Sequence, residues 1–351
     1  MTSRPVCFVI PGDLSLPTGG YGYDRQVLAH AAAAGIDMTH IALPAGYPFP
    51  SPQVLATSAR IITTTPPEAV LLIDGLAYGA MPAEMIRAFG RPVVELCHHP
   101  LALEPGHDAV TVATFTASER AAMAQARHII VTGGHTAGIV ARDFGMPAER
   151  ITVALPGTER ARRARGSGRA APHLIAVGSV IPRKAYDVLV KAMARLAHLP
   201  WTLDIIGATV HAPDTVVDVE NLIQALHLEN RIRLTGPMDA AGLDQAYDSA
   251  DLFVMSSLYE GYGMVIAEAM ARGLPIVAST GGAAGDTLAD EAGLKVPPGA
   301  VEALANSIHR MLANPSDRKR FSDGSWAAGQ KLPTWLETAQ TIARVVNGVA
   351  A

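Results

Sequence analysis

The chain has 351 residues, 49% hydrophobic and only 5% aromatic, with 28 basic against 32 acidic side chains and a formal net charge of −4. That length accommodates two domains with full cores, and that balance excludes the basic excess of a nucleic-acid binder. Two cysteines, Cys7 and Cys97, lie in separate apolar runs and imply no disulfide framework, which points to a reducing, cytoplasmic setting. With no charged-then-apolar leader and no apolar run of about 18 residues, no membrane-spanning segment is expected. Peripheral attachment to the inner face of a membrane remains compatible with this composition.

Residues 6–10, Val-Cys-Phe-Val-Ile, read as a first buried strand. They run into the glycine-rich loop 11–22 and then a helix over 23–34, stopped by Gly35. Strand, glycine loop and helix in this order have the form of a phosphate cradle. The dinucleotide fingerprint is incomplete. Gly20 and Gly22 take its first spacing, but Arg25 stands where the third glycine belongs, and Asp37 comes too early to hold a ribose. A dehydrogenase would need a better match.

Strands at 69–74, 92–97 and 126–132 alternate with helical stretches, the pattern of a parallel sheet covered on both faces. The second ends at His98-His99-Pro100, and the carboxyl end of a parallel strand is where such folds bind ligands. Either histidine can be the one that faces a ligand. No further ligands stand at metal-binding spacing, so no metal site is expected. Residues 151–157 close this half, and the arginine-rich segment 159–169 reads as a solvated connection.

The second half restarts with a strand ending at Gly178, followed by Arg183-Lys184 before a helix. Such a pair can neutralise a diphosphate, the arginine as a fork and the lysine as a point charge. Strands 201–206 and 231–236 end at Gly207 and Gly236. The strand 251–255 then leads through a loop with Gly261 and Gly263 into a helix over 264–271, which Gly273-Leu-Pro275 stops. The unpaired N–H groups and dipole of that helix start favour an anion. Glu260 precedes the helix, and Glu268 lies one turn inside it, where its side chain leans back toward the mouth. A carboxylate accepts from two adjacent hydroxyls at once, so an anion flanked by two acids describes a sugar nucleotide. A plainer reading makes Glu268 a buried structural acid and lets the glycines simply turn the chain.

The run Ser-Leu-Tyr-Glu-Gly-Tyr-Gly…Glu-Ala-Met-Ala-Arg-Gly-Leu-Pro-Ile-Val-Ala-Ser resembles the signature of retaining glycosyltransferases of family 4, glycosyl transferases group 1. The resemblance implies an α/β chain of the GT-B fold, two Rossmann-like domains facing across a cleft. Residues 1–160 would bind the acceptor and 170–333 the nucleotide sugar, with the last helix, 334–351, packing back on the first domain. It places Glu260 on the donor sugar hydroxyls and Glu268 on the ribose. Gly261 and Tyr262 would belong to the donor loop, with the amides near Gly263, Met264 and Val265 on the diphosphate. Arg183 and Lys184 would join them there beside Gly178, while Gly207 and Gly236 would frame the nucleobase. Gly19 and Gly20 would lie beside the donor phosphates, and a histidine, His98 by register, near the reacting sugar. Ala185 stands where the family has a glycine. The implied reaction is metal-independent front-side attack with no cofactor beyond the donor, on a saccharide, lipid or small-metabolite acceptor. The competing readings are a sugar-nucleotide-binding protein without turnover and a GT-B-type epimerase.

Overall fold

A computed structural model describes residues 4–16, 18–104 and 106–350. The chain divides into two units, Met1–Gly157 with Pro333–Ala351, and Thr158–Leu332. In the first, β1 (Val6–Pro11), β2 (Met38–Leu43), β3 (Val70–Asp74), β4 (Val93–Cys97), β5 (His128–Val131) and β6 (Ile151–Val153) form one sheet. All neighbours are parallel, in the order β2-β1-β3-β4-β5-β6. The second unit holds β7 (His173–Val177), β8 (Thr202–Ile206), β9 (Ile232–Gly236), β10 (Leu252–Met255), β11 (Ile276–Ser279) and β12 (Gly293–Val296). Its parallel order, β12-β11-β10-β7-β8-β9, is the doubly wound dinucleotide-fold arrangement. Strand order reverses between β1 and β3 in one unit and between β7 and β10 in the other. Crevices at those two reversals are where such sheets receive ligands.

The apolar runs explain why both sheets are buried on both faces. Successive strand side chains point to opposite sides. Thus Leu174, Ala176, Leu252 and Val254 enter one core cluster of the second unit. Their neighbours Ile175, Phe253 and Met255 enter another. A strand that feeds two cores must be apolar throughout, which is how these runs read. Cys7 and Cys97 are buried free thiols. Among the described residues, no helix is long and apolar enough to cross a membrane.

Two expectations need correction. The first helix runs over Gly19–His30, four residues earlier than its apolar pattern implies, so Gly19 and Gly20 form its first turn rather than the loop before it. Thr18 is the cause: its hydroxyl accepts from the Tyr21 N–H and caps the helix there. The arginine-rich segment 159–169 is not a free linker. The Ala164 N–H donates to Arg272 O (2.8 Å), Arg163 pairs with Asp323, and Ser167 bonds Asp251 through its N–H and its hydroxyl. Composition shows how many charges a segment carries, and here the opposing acids sit in distant parts of the same unit.

The final helix, Trp335–Ala350, is part of the first unit. Its Trp335 ring stands edge-on to Tyr23 at 5.5 Å, and the Thr338 hydroxyl donates to Leu155 O at 2.7 Å. The chain crosses here at Gly157, where a Cβ would fall 2.3 Å from the Trp335 nitrogen. In the second unit, Ala185 joins the turn Pro182–Lys184 to the helix Tyr186–Ala194 in a left-handed conformation, φ 49° and ψ 47°.

Two stability measurements follow from these contacts. Trp335→Ala should cost about 3–5 kcal/mol by urea unfolding of the intact chain, because a buried aromatic leaves a cavity; an unchanged midpoint would refute the docking. Ala185→Gly should release left-handed strain of about 1–2 kcal/mol against about 0.4–1 kcal/mol of added unfolded-chain entropy. The same assay should show stability held or raised, and a clear loss would contradict that conformation.

Candidate functional site

In the second unit, the site forms at the reversal between β7 and β10. The chain leaves β7 through Gly178 and reaches Arg183 and Lys184 in the following turn. It leaves β10 through the segment that carries Glu260. Backbone bonds lace the two exits together: the Leu258 N–H donates to Arg183 O (2.8 Å), and the Ser256 hydroxyl donates to Lys184 O (2.9 Å). Gly178 has φ 152°, and a Cβ on it would lie 2.9 Å from Lys184 Cε, so the bare backbone lets the lysine pass over the strand end. Gly207 and Gly236, at the ends of β8 and β9, lie alongside, the Gly207 N–H donating to Gly236 O at 3.0 Å.

Three predicted residues converge. Lys184 Nζ donates to Glu260 Oε1 at 2.6 Å, and Arg183 Nη1 donates to Glu260 Oε2 at 3.3 Å and to Tyr259 O at 2.7 Å. Glu260 is only 7% exposed. Burial alone would raise its carboxyl, but Lys184 and Arg183 outweigh it and hold the group below the usual carboxylate value. Arg183 retains donor capacity, since its buried Nε has no partner. The sequence reading assigned the cations to a diphosphate and the acid to sugar hydroxyls; in the structure they pair with one another.

The helix Met264–Ala271 begins beside this cluster at Gly263, in the left-handed region with φ 90°. No side chain caps it, and its first turn carries no acid, so the amides of its start are available to an anion. Met264 and Val265 are half-buried in that first turn, after Gly261 and the buried Tyr262. Glu268 lies further along, its Oε2 accepting from the Tyr247 hydroxyl at 2.9 Å, and burial raises its carboxyl.

The first unit has its own cluster at the reversal between β1 and β3. His98, immediately after β4, places Nε2 3.0 Å from Asp24 Oδ1 and 3.4 Å from Asp74 Oδ2. Asp24 comes from the helix Gly19–His30, and Asp74 ends β3. Burial works against a charged imidazole, but the two carboxylates outweigh it and push His98 up to about 10. Burial likewise raises Asp24, with His98 opposing. Gly20 packs over the ring: a Cβ there would stand 3.4 Å from His98 Cδ2. Gly19 lies beside it in the first helical turn. His99 turns instead toward Glu104, at 3.9 Å, so His98 is the histidine gathered into the cluster.

Asp24 and Asp74 were not singled out from sequence. Asp74 could have been, because it ends a parallel strand by the same rule that pointed to His98. Asp24 carried only a faint signal, an acid among the inward residues Tyr23 and Val27 of its helix. The donor atoms of Asp24, Asp74 and His98 all lie within 4.8 Å of one another, so the trio can share a cation. The nearer pair, His98 Nε2 and Asp24 Oδ1, is already within hydrogen-bonding distance at 3.0 Å.

Residues 158–325 match the family described as glycosyl transferases group 1. The chain is 24% identical over 318 residues to the MMP alpha-(1->4)-mannosyltransferase of Mycolicibacterium hassiacum, spanning 86% of this chain and 76% of that protein. It is 30% identical over 210 residues to the D-inositol 3-phosphate glycosyltransferase of Mycobacteroides abscessus, spanning 59% of this chain and 46% of that one. The chain therefore covers about half the length of the inositol-phosphate transferases it resembles. Among solved structures, the sucrose-phosphate synthase of Thermosynechococcus elongatus superposes with a TM-score of 0.83 at 22% identity, covering 97% of this chain and 98% of that one. Anabaena HepE, in complex with UDP and glucose, superposes at 0.79 and 19% identity, covering 97% and 99%. Those likenesses are of fold. The architecture is that of GT-B glycosyltransferases, and residues 158–325 match a glycosyl transferases group 1 domain.

Proposed function

We propose that the protein is a retaining glycosyltransferase that moves a sugar from a nucleoside-diphosphate sugar to an acceptor hydroxyl. The observation that carries this reading is the convergence of Arg183, Lys184 and Glu260 beside the uncapped start of the helix Met264–Ala271. A diphosphate at that helix start meets its amides, the unused donors of Arg183 and the Lys184 ammonium. Glu260, relieved of part of its ion pairing, then accepts from hydroxyls of the sugar. Glu268, with Oε2 already taken by Tyr247, turns Oε1 to the ribose. Relatives support a nucleotide-sugar donor: one is named a mannosyltransferase, and HepE has been captured with UDP-glucose.

In the proposed reaction, the bond from the anomeric carbon to the diphosphate breaks, and a bond to the acceptor oxygen forms on the same face. The acceptor proton passes to the departing diphosphate. Arg183, Lys184 and the helix dipole supply the positive charge that stabilises this leaving group, which is preorganised electrostatic catalysis without a required metal. The acceptor is a saccharide, a lipid or a small metabolite, and a reducing cytoplasm suits the two free thiols.

Thermal unfolding with UDP, GDP or ADP and their sugars, in the presence of EDTA, tests the donor assignment. A ligand at 100 times its dissociation constant should stabilise by about 2.7 kcal/mol, and no shift with any of them would sink the reading. Lys184→Ala should weaken nucleoside-diphosphate binding and lower kcat by about 10²–10³-fold, the scale of one lost transition-state donor. Glu260→Gln should separate the two roles. Sugar transfer should collapse, while the bare nucleoside diphosphate should bind as well or better, because a competing carboxylate is gone. Weaker binding of the bare diphosphate by that variant would contradict the ion-pair exchange, and an inverted anomer seen by NMR would contradict retention.

A further inference from the structure

Glu268 takes its orientation from the helix Ala240–Asp248, which precedes β10. Tyr247, in the last turn of that helix, is fully buried, and its ring stacks on Phe253 of β10 at 6.1 Å. A buried phenol needs a hydrogen-bond partner inside the protein. Here the partner is Glu268 Oε2, at 2.9 Å. Glu268 itself is half-buried, and its Oε1 takes no hydrogen bond among the described residues.

Arg272 completes the arrangement from the C-terminal end of the Glu268 helix. Its guanidinium lies over the Tyr247 ring, 4.7 Å from the centroid, and Nη1 donates to Glu268 O at 3.2 Å. Its Nε and Nη2 donate to Asp244 Oδ1 at 3.1 and 2.8 Å. Asp244 and Tyr247 stand at i and i+3 on one helix, Glu268 and Arg272 at i and i+4 on the next, so each pair shares a face. The four groups lock crosswise. An apolar contact would hold the two helices together equally well, but this one also fixes the plane of a carboxyl group. Because that group is rigid and planar, pinning Oε2 sets the direction of Oε1.

We propose that Tyr247 and Arg272 are positioning residues that aim Glu268 at the ribose hydroxyls of the donor, making the site select ribonucleoside over 2′-deoxyribonucleoside diphosphates. A site built to bond a hydroxyl rejects the analogue that lacks it, since a polar group of the protein is then left unpaired. A carboxyl group already aimed loses no rotamer freedom when the ligand arrives. Ribose selection rests on the donor reading of this site, in which Glu268 faces the ribose; the crosswise lock does not.

Isothermal titration calorimetry of the full chain with UDP, GDP and ADP, each beside its 2′-deoxy form, tests the proposal. For the base that binds, the wild type should prefer the ribose form by about tenfold or more, the scale of one hydrogen bond to a charged group. Glu268→Ala should erase that preference. Tyr247→Phe keeps the ring and should narrow the preference by about three- to tenfold, the scale of freezing one loosened side chain on binding. Should Tyr247→Phe fail to fold, Arg272→Met carries the comparison and should narrow it in the same direction. A wild type that binds both forms alike would overturn the proposal. So would a preference unmoved in the positioning variants while their melting temperature falls, because the bond would then be structural only. A protein that binds the diphosphate but keeps its preference in these variants defeats the inference alone. Failure to bind any of the nucleotides defeats the donor reading and ribose selection with it.

Discussion

Glu260 can be buried and ionised only because Lys184 and Arg183 reach it from the next loop, and much of the second unit is arranged around that contact. A carboxylate taken from water without partners costs several kcal/mol and would neutralise instead. The two cations come from the exit of β7 and the acid from the exit of β10, so the pair closes the reversal point like a clasp. Gly178 clears a path for the lysine stem, Ala185 accepts a left-handed turn after it, and the bonds from Leu258 and Ser256 fix the two loops in register. The cations are thereby gathered at one point before the helix Met264–Ala271 begins.

The first unit has a cluster of the converse composition. Around Glu260, two cations surround one acid; around His98, two carboxyl groups surround one imidazole. Both clusters sit where the strand order reverses, since there the chain leaves the sheet in two directions and opens a crevice over the strand ends. Polar groups placed in that crevice are partly dry, and so must be paired. In the second unit the pairing still leaves the buried Nε of Arg183 without a partner.

Reading the chain as a sequence went far in the second unit and less far in the first. The glycines, the Arg-Lys pair and Glu260 follow strand ends that apolar runs already mark, and Glu268 lies in the helix that follows the last of these loops. The first helix was misplaced because its opening Gly-Gly-Tyr-Gly looks like a loop, and the Thr18 cap outweighed the poor helix propensity of glycine. The arginine-rich segment looked solvated because composition does not show where Asp248, Asp251 and Asp323 will be.

What the sequence by itself determined was the alternation of elements, the two parallel sheets and the glycine loop that opens the helix Met264–Ala271. These follow from periodicity and from short-range chemistry that neighbouring residues carry among themselves. Tertiary structure alone decided which charges meet. Asp24 and Asp74 are 50 or more residues apart from each other in the chain and reach His98 from a helix and a different strand; Lys184 and Glu260 are separated by 76. Their energies depend on distance and on the exclusion of water, and neither quantity exists until the sheets have packed.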